Sequence, residues 1–557
     1  MKTSELSRSA RYTFLALDAR FTHSNPAIRS ILTWVKDYLP AEDRGNISFL
    51  EHNINQALDL ILEKIMRTNA QAVFFSCYIW NINLLKHIIA DLRLLRPDLL
   101  IAVGGPEVEF SPSLSFEDLP QIDLVLQGEG ELIFSTLLPY LKNFAREENF
   151  REAVLSDIRS LSEASSLLCG LAYLDKDNTL RTTKAAGTID LNKLNFIYPD
   201  LSLMEHRHLY YESSRACPFH CTYCLSSRDD RLRFKDVDLV CQDLSRFIEA
   251  EVPLVKFIDR SFNAIPKRAR EIWTFLIEKT RNKLAKSKNS FKTHQKKGRP
   301  SEMNIENFTR FHFEIEARLL KEEDFQLLAT APKGLFQFEI GIQSFDEQVL
   351  KNVRRSPDTQ SIVAALTRLY EDGKIHCHAD LLFGLPGQTL ATIEKSFAQA
   401  LACKADKIQL GFLKVLKGTP LYETAIERDF KWEKRAPYEI LSTDLLRYSD
   451  LRLLKHLEAV FERFWDYALF PRSMAILQEN TGSAFEFFST AGQYFSLNGY
   501  LDRPLSQDEF FSRIYDYLLE EDSELSQKLR SSVKEDYLAT PGALSSWETL
   551  RERYPRP

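Results

Sequence analysis

Along the first 425 residues, apolar runs about one strand long alternate with amphipathic helical stretches, in two separate series. In the first series YTFLALD (12–18), ISFLEH (47–52), AVFFSCY (72–78), LLIAVGG (99–105) and DLVLQGEGE (123–131) read as buried strands. Between them AIRSILTWVKDYL and LLKHIIADLRLLRP carry apolar residues at helical spacing. This order predicts βαβ units and a parallel, doubly wound α/β sheet over residues 1–150. Ligands on such sheets sit beyond the carboxyl ends of the strands. Asp18, Ser76, GGPE (104–107) and GEGE (128–131) occupy those exits.

A second series opens near residue 206 with HLYYESSRAC. It continues through LVKFIDRSFN, RFHFEIEARLL, LFQFEIGIQSF, IHCHADLLFGLPG and IQLGFLKVL. Six strands separated by helices suit a partial α/β barrel over 206–425, whose site lies at the strands' carboxyl ends. Residues 151–205 read as a connector containing a hairpin around Asp175–Asn178. Beyond 425 the strand pattern stops; Leu454, Leu457, Phe461 and Phe464 recur at helical spacing, and 426–557 reads as mostly helical. Within the barrel, 281–299 holds eight Lys or Arg and no acid. That stretch, extended to 303, predicts a solvated, flexible insertion.

Composition narrows the function classes. The chain has 557 residues, 44% hydrophobic and 27% charged, with a net charge of −6. That charge gives no general pull toward nucleic acid, so none is expected as a partner. No apolar run approaches the roughly 18 residues that span a bilayer, and the polar N-terminus predicts no signal peptide. Eight cysteines, five of them scattered, do not form a disulfide framework. A reducing cytoplasm is therefore the expected compartment, where clustered thiols point to metal or redox chemistry.

The three remaining cysteines, Cys217, Cys221 and Cys224, lie together in RACPFHCTYC. Structural zinc takes four Cys or His ligands, and His220 offers a fourth; an iron–sulfur cluster normally takes four thiolates. The triplet alone leaves both open. The downstream strands add a second observation, because side chains alternate along a strand. His312, Glu314 and Glu316 share one face; so do Gln337, Glu339, Gly341 and Gln343, and so do His376, His378 and Asp380. Carboxylates repeated on one face are costly in an apolar core, and they predict a lumen that binds a polar ligand.

The spacing Cys-x3-Cys-x2-Cys, with Tyr223 before the last cysteine, resembles the signature of the radical S-adenosylmethionine (SAM) superfamily. FEIGIQSFDEQVLKNVRR and HADLLFGLPGQT resemble the barrels of oxygen-independent coproporphyrinogen oxidase and its relatives. The resemblance implies a [4Fe–4S] cluster on Cys217, Cys221 and Cys224, with one iron left for SAM. It also implies SAM contacts at Tyr223, Glu316, Gln343, Arg355 and Asp380. Asp259 is added at the end of the second strand, although the family's Gly-Gly-Glu is absent there. IAVGGPEVEFSP followed by LVLQGEGELIFSTLL resembles the Rossmann-like cobalamin-binding domains found ahead of such barrels. That likeness implies cobalamin contacts at Ser76, Tyr78, Gly104, Gly105, Gly128, Glu129 and Gly130. The histidine-ligand pattern Asp-x-His-x-x-Gly is not met, since His23 stands five residues after Asp18 and no glycine follows. The C-terminal region resembles an uncharacterised subgroup of these proteins.

Together these resemblances imply an enzyme that cleaves SAM to a 5′-deoxyadenosyl radical and uses cobalamin to methylate an unactivated carbon. The alternatives are oxidative cyclisation or rearrangement without methylation, and a non-catalytic cofactor-binding sensor. An electron donor such as flavodoxin or ferredoxin is the implied partner.

Overall fold

The computed structural model describes residues 9–161, 167–204, 207–228, 231–292, 308–465, 469–521, 523–544 and 546–556. The first sheet contains β1 (Arg11–Asp18), β2 (Asn46–Asn53), β3 (Ala72–Ser76), β4 (Leu100–Gly104) and β5 (Leu124–Leu126), followed by a hairpin of β6 (Leu171–Leu174) and β7 (Leu180–Thr182). The spatial order is β2–β1–β3–β4–β5–β6–β7. Its first five strands are parallel and the last two antiparallel. The hairpin expected around Asp175–Asn178 thus forms and pairs with β5, lengthening the sheet.

Burial on both faces explains the continuous apolar runs. Phe14, Phe74, Leu124 and Phe134 fill the core on one side, while Leu15, Val73, Phe75 and Ile101 fill the other. The helix Pro26–Tyr38 begins where Asn25 accepts a hydrogen bond from the Ile28 amide and proline takes the first helical position. Strand order reverses between β1 and β3, so Asp18 and Ser76 open onto the crevice at that switch point.

The second sheet contains β8 (Leu209–Tyr211), β11 (Leu254–Phe257), β12 (Arg310–Ile315), β13 (Phe336–Gln343), β14 (His376–Phe383) and β15 (Lys407–Phe412). A short antiparallel pair, β9 (Ser214–Arg215) and β10 (Arg233–Phe234), frames the cysteine loop. The six main strands pair in parallel in the order β8–β11–β12–β13–β14–β15. This is the expected partial barrel. Every second residue of β13 and β14 is buried. Phe336, Phe338, Ile340 and Ile342 pack outward with Phe257, Phe313 and Trp273, so Gln337, Glu339 and Gln343 keep the lumen face. The helix Pro266–Lys292 runs through the first residues of the basic stretch. The remainder of the stretch lies outside the described residues.

The C-terminal region begins with the hairpin β16 (Lys431–Trp432) and β17 (Ile440–Ser442), and then becomes helical. Its helices share one core with the barrel. Phe397, on a barrel helix, meets Phe461 at 5.2 Å and Phe485 at 5.8 Å between ring centroids. The β16–β17 hairpin reaches the other way. Its Ala436 and Tyr438 are buried in the core of the first sheet, and Tyr438 donates to Glu107 of the β4 exit loop.

One crossing in the helical region is close enough to test. A Cβ added at Gly492 in the helix Thr481–Leu497 would stand 2.5 Å from the His456 carbonyl of the helix Tyr448–Trp465. Neither backbone can give way without moving a helix. Gly492→Ala is expected to cost about 1–3 kcal/mol through overpacking, measured as a lower unfolding midpoint with unchanged helical circular dichroism.

Candidate functional site

The cysteine loop leaves β9 through Ala216, whose φ of +77° is unusual for a residue with a side chain. Backbone hydrogen bonds then pin the loop to two distant segments. The Thr222 amide donates to Val353 O at 3.1 Å, and Thr222 O accepts from Leu421 at 2.9 Å. The Ser227 hydroxyl closes the loop on the carbonyls of Cys221 and Cys224. Cys217 Sγ lies 3.6 Å from Ser261 Oγ, and Arg355 Nη1 points at Cys221 Sγ from 3.7 Å. Burial pushes the Cys217 thiol upward, and it pushes up the Tyr223 phenol as well. His220 is exposed.

At the carboxyl ends of the strands, Arg355 also donates to Gly341 O, and its Nη2 lies 3.9 Å from Glu316. Glu316 is buried and held by the Arg318 fork at 2.8 and 2.9 Å. A register shift between Gly341 and Gln343 breaks the ladder with β14, and Gln343 takes a left-handed φ of +68°. Asp380 pairs in register with Gly341. Burial, with Glu339 and Glu314 nearby, raises its carboxyl well above the usual range, and its Oδ1 is buried without a partner. Glu316, Gln343, Arg355 and Asp380 therefore collect at one end of the lumen, with Tyr223 and Cys221 beside Arg355. Asp259 lies at its strand end but is engaged differently. Both its oxygens accept hydrogen bonds, from the Ser213 amide at 2.9 Å and from the Ser213 and Ser214 hydroxyls at 2.6 Å.

A cavity of about 860 Å³ separates the exits of the first sheet from the barrel. Asp18, Tyr78, Trp80 and Glu129 line it on one side, and Lys256 and Glu339 on the other. Tyr78 and Trp80 stack at 4.3 Å with planes 9° apart, forming a flat apolar panel. His23, on the β1 exit loop, contributes to the wall and bonds Tyr210 OH through Nδ1 at 3.2 Å. A second cavity of about 120 Å³ runs between the sheet and its helices past Ser76, Gly104, Gly105, Gly128 and Gly130. Two of these glycines answer to close packing within the chain. At Gly105, with φ +110°, a Cβ would stand 2.7 Å from Cys77 O, and at Gly130 it would meet Ile31 at 2.5 Å.

Several wall residues carry no signal of their own in the sequence. Arg215 joins Glu129, Glu131 and Glu212 at 3.2, 2.6 and 2.9 Å, and Arg233 also holds Glu129. Arg260 pairs with Glu314, and His312 Nε2 lies 3.2 Å from Glu339. Strand alternation sets His312, Glu314 and Glu339 on the lumen face and could have flagged Lys256 as well; Glu129 and Glu131 are too far from Arg215 in sequence for any local pattern.

The class follows from this arrangement: a doubly wound sheet faces a six-stranded parallel half-barrel whose mouth carries a three-cysteine loop. Three family models match the chain: a B12 binding domain over residues 13–138, the radical SAM superfamily over 211–400, and a protein of unknown function, DUF4080, over 427–553. The chain therefore carries a radical SAM domain preceded by a B12-binding domain. The uncharacterized methyltransferase PH0819 of Pyrococcus horikoshii is 23% identical over 353 residues, covering 61% of this chain and 67% of that protein. The cobalamin-dependent radical SAM methyltransferase TokK of Streptomyces tokunonensis is also 23% identical, covering 62% of this chain but only 47% of its own length. Among solved structures, the cobalamin-dependent SAM radical enzyme OxsB superposes with a TM-score of 0.60 at 13% identity, over 95% of this chain and 84% of that one. TsrM of Kitasatospora setae gives 0.56 at 15% identity, over 75% of each chain.

The radical SAM domain implies a [4Fe–4S] cluster and SAM, and the B12-binding domain implies cobalamin. The residues fit these groups. Cys217, Cys221 and Cys224 stand on one short loop, the thiolate chemistry that an iron–sulfur cluster takes. The unpartnered Asp380 Oδ1 suits a ligand donor, and the large cavity lies in the usual range for ligand sites.

Asp18 makes this wall sensitive to pH. Burial, reinforced by Glu51, raises its carboxyl to about 7. Between about pH 4 and pH 7 the folded chain therefore holds a proton that the unfolded chain releases, so this group costs stability as pH rises through that window. Asp18→Asn should remove that slope: the midpoint difference from the parent should grow in the variant's favour up to about pH 7 and level off above it, as read by thermal unfolding across a pH series.

Proposed function

We propose that the chain is a cobalamin-dependent radical SAM methyltransferase acting on an unactivated carbon. The observation that carries the reading is that the cysteine loop and the Glu316–Arg355–Asp380 group meet at one lumen mouth, while Ala216, Leu225 and Ser226 at the ends of that loop line the cavity bounded by the B12-binding domain. When bound, the cluster and SAM would supply a 5′-deoxyadenosyl radical, and cobalamin would supply a methyl carrier.

The chain's own residues bind, orient and exclude water. Cys217, Cys221 and Cys224 would hold the cluster. Arg355 suits a carboxylate, while Glu316, Gln343 and Asp380 suit hydroxyl and amine donors on SAM. Asp380, whose burial beside Glu339 and Glu314 favours its protonated form, can also donate. Asp259 serves by fixing Ser213 and Ser214 ahead of the cysteine loop. On the other wall the Tyr78–Trp80 panel offers a flat apolar surface to a corrin, while Ser76, Gly104, Gly105, Gly128, Glu129 and Gly130 surround the space next to it. Among the described residues no helix is long and apolar enough to cross a membrane. With a reduced-thiol chemistry at its centre, the protein is assigned to the cytoplasm, with a flavodoxin or ferredoxin as electron donor and no nucleic acid partner.

Anaerobic reconstitution should give about four irons per chain, and alanine at any one of the three cysteines should abolish SAM cleavage. With reductant and cobalamin, both 5′-deoxyadenosine and S-adenosylhomocysteine should form. Deoxyadenosine without homocysteine product would move the reaction to cyclisation or rearrangement. One zinc and no iron would end the proposal.

A further inference from the structure

Charged side chains around the large cavity are partnered, with one exception. Glu129 and Glu212 are held by Arg215, Glu314 by Arg260, and Glu339 by His312. Glu109 accepts from the Gly128 amide, and Arg228 donates to Gly418 O. Asp18 is drawn toward neutrality by burial. Lys256 lines the same cavity, and among the described residues it has neither a hydrogen bond nor an ion pair.

The strand fixes where this ammonium stands. Val255 and Phe257 are buried on the outward face of β11, which commits Lys256 to the lumen. It is in register with Tyr210 on β8 and His312 on β12, so the three side chains project from neighbouring strands about 4.8 Å apart. His312 is only 6% exposed. Its Nε2 faces the Glu339 carboxylate, an acceptor, which selects the Nε2–H tautomer in the neutral ring. Its Nδ1 is then an acceptor, and it is buried with no partner. His23 and His208 stand close enough to feel the Lys256 charge, and burial with that charge keeps both rings neutral.

A half-buried cation without a direct ion pair, its nearby carboxylate Glu339 already engaged by His312, is costly, and an orphaned acceptor on the neighbouring strand adds to the cost. One ligand relieves both. We propose that Lys256 and His312 form a substrate subsite for an oxyanion, carboxylate or phosphate, that carries a neighbouring hydroxyl or N–H group. Lys256 holds the oxyanion, and His312 Nδ1 accepts from the neighbouring donor. Four residues along β12 separate His312 from Glu316, about 13 Å, so a substrate anchored here reaches the lumen mouth only if it is elongated. Calling this ligand the substrate rests on the radical SAM reading; the anion site itself does not.

The test uses the full chain without cofactors, labelled with pyridoxal 5′-phosphate, an anionic lysine reagent, then reduced with borohydride and mapped by peptide mass spectrometry. Lys256 should label at least tenfold faster than Lys267, whose side chain is 85% exposed. Inorganic phosphate and lactate should protect Lys256 and leave Lys267 unaffected, and the more effective of the two identifies phosphate or carboxylate as the preferred group. Lactate should outcompete propionate, which lacks the hydroxyl, and His312→Phe should erase that difference. Lys256→Met should leave the unfolding midpoint unchanged or higher. Equal labelling of both lysines, equal protection, or a lowered midpoint in Lys256→Met would overturn the assignment. None of these readouts needs a cluster or turnover, so failure of methyl transfer and failure of the anion site are separately visible.

Discussion

The Arg215 guanidinium is the junction on which the rest of the structure depends. It stands two residues ahead of Cys217 and meets Glu129 and Glu131 of the first sheet together with Glu212 of the barrel. Glu131 is itself only 3% exposed and takes a second bond from Ser30 at the start of the first domain. Removing one member of such a buried group leaves an uncompensated charge, at a cost of about 3–5 kcal/mol. The network is therefore better understood as a registration device than as a source of stability. It sets the sheet that would carry the corrin against the loop that would carry the cluster.

Local periodicity made most of the architecture legible. FHFEIEA, FQFEIGIQ and HCHADLLF each alternate apolar and polar residues, and a parallel sheet covered on one side by helices has only one way to place such a pattern. The continuous runs VFF and IAV marked the first sheet for the complementary reason that both its faces are covered. The cysteine triplet stood out because three thiols lie within eight positions. What escaped detection depends on partners distant in the chain. Arg215 meets Glu131 across 84 residues, and nothing in SSRAC distinguishes that arginine from its neighbours. Asp259 is set at a strand end as expected, yet Ser213 and Ser214 occupy its oxygens, a pairing that only folding creates. Of the basic stretch, the first residues continue the helix Pro266–Lys292, and the rest lies outside the described residues.

The lumen has two chemical levels. At its mouth the groups are arranged around Arg355 and the cysteine loop. Farther in, His312, Glu339, His376 and His378 form a patch in which burial holds His378 down to about 4. Two histidines in edge contact at 4.8 Å, His376 and His378, are compatible only if at least one is uncharged. The deep level thus sets largely neutral histidines beside two charges, the Glu339 carboxylate and the Lys256 ammonium.

The β16–β17 hairpin has a consequence for how the protein is made. Ala436 and Tyr438 complete the core of the first sheet, although some 300 residues separate them from its last parallel strand at Leu124–Leu126. As the chain leaves the ribosome, the strands of the B12-binding domain emerge before this hairpin, with that part of their core still unfilled. That part of the core closes only when the hairpin arrives. A hairpin at 431–442 thus closes a core whose strands begin at residue 11.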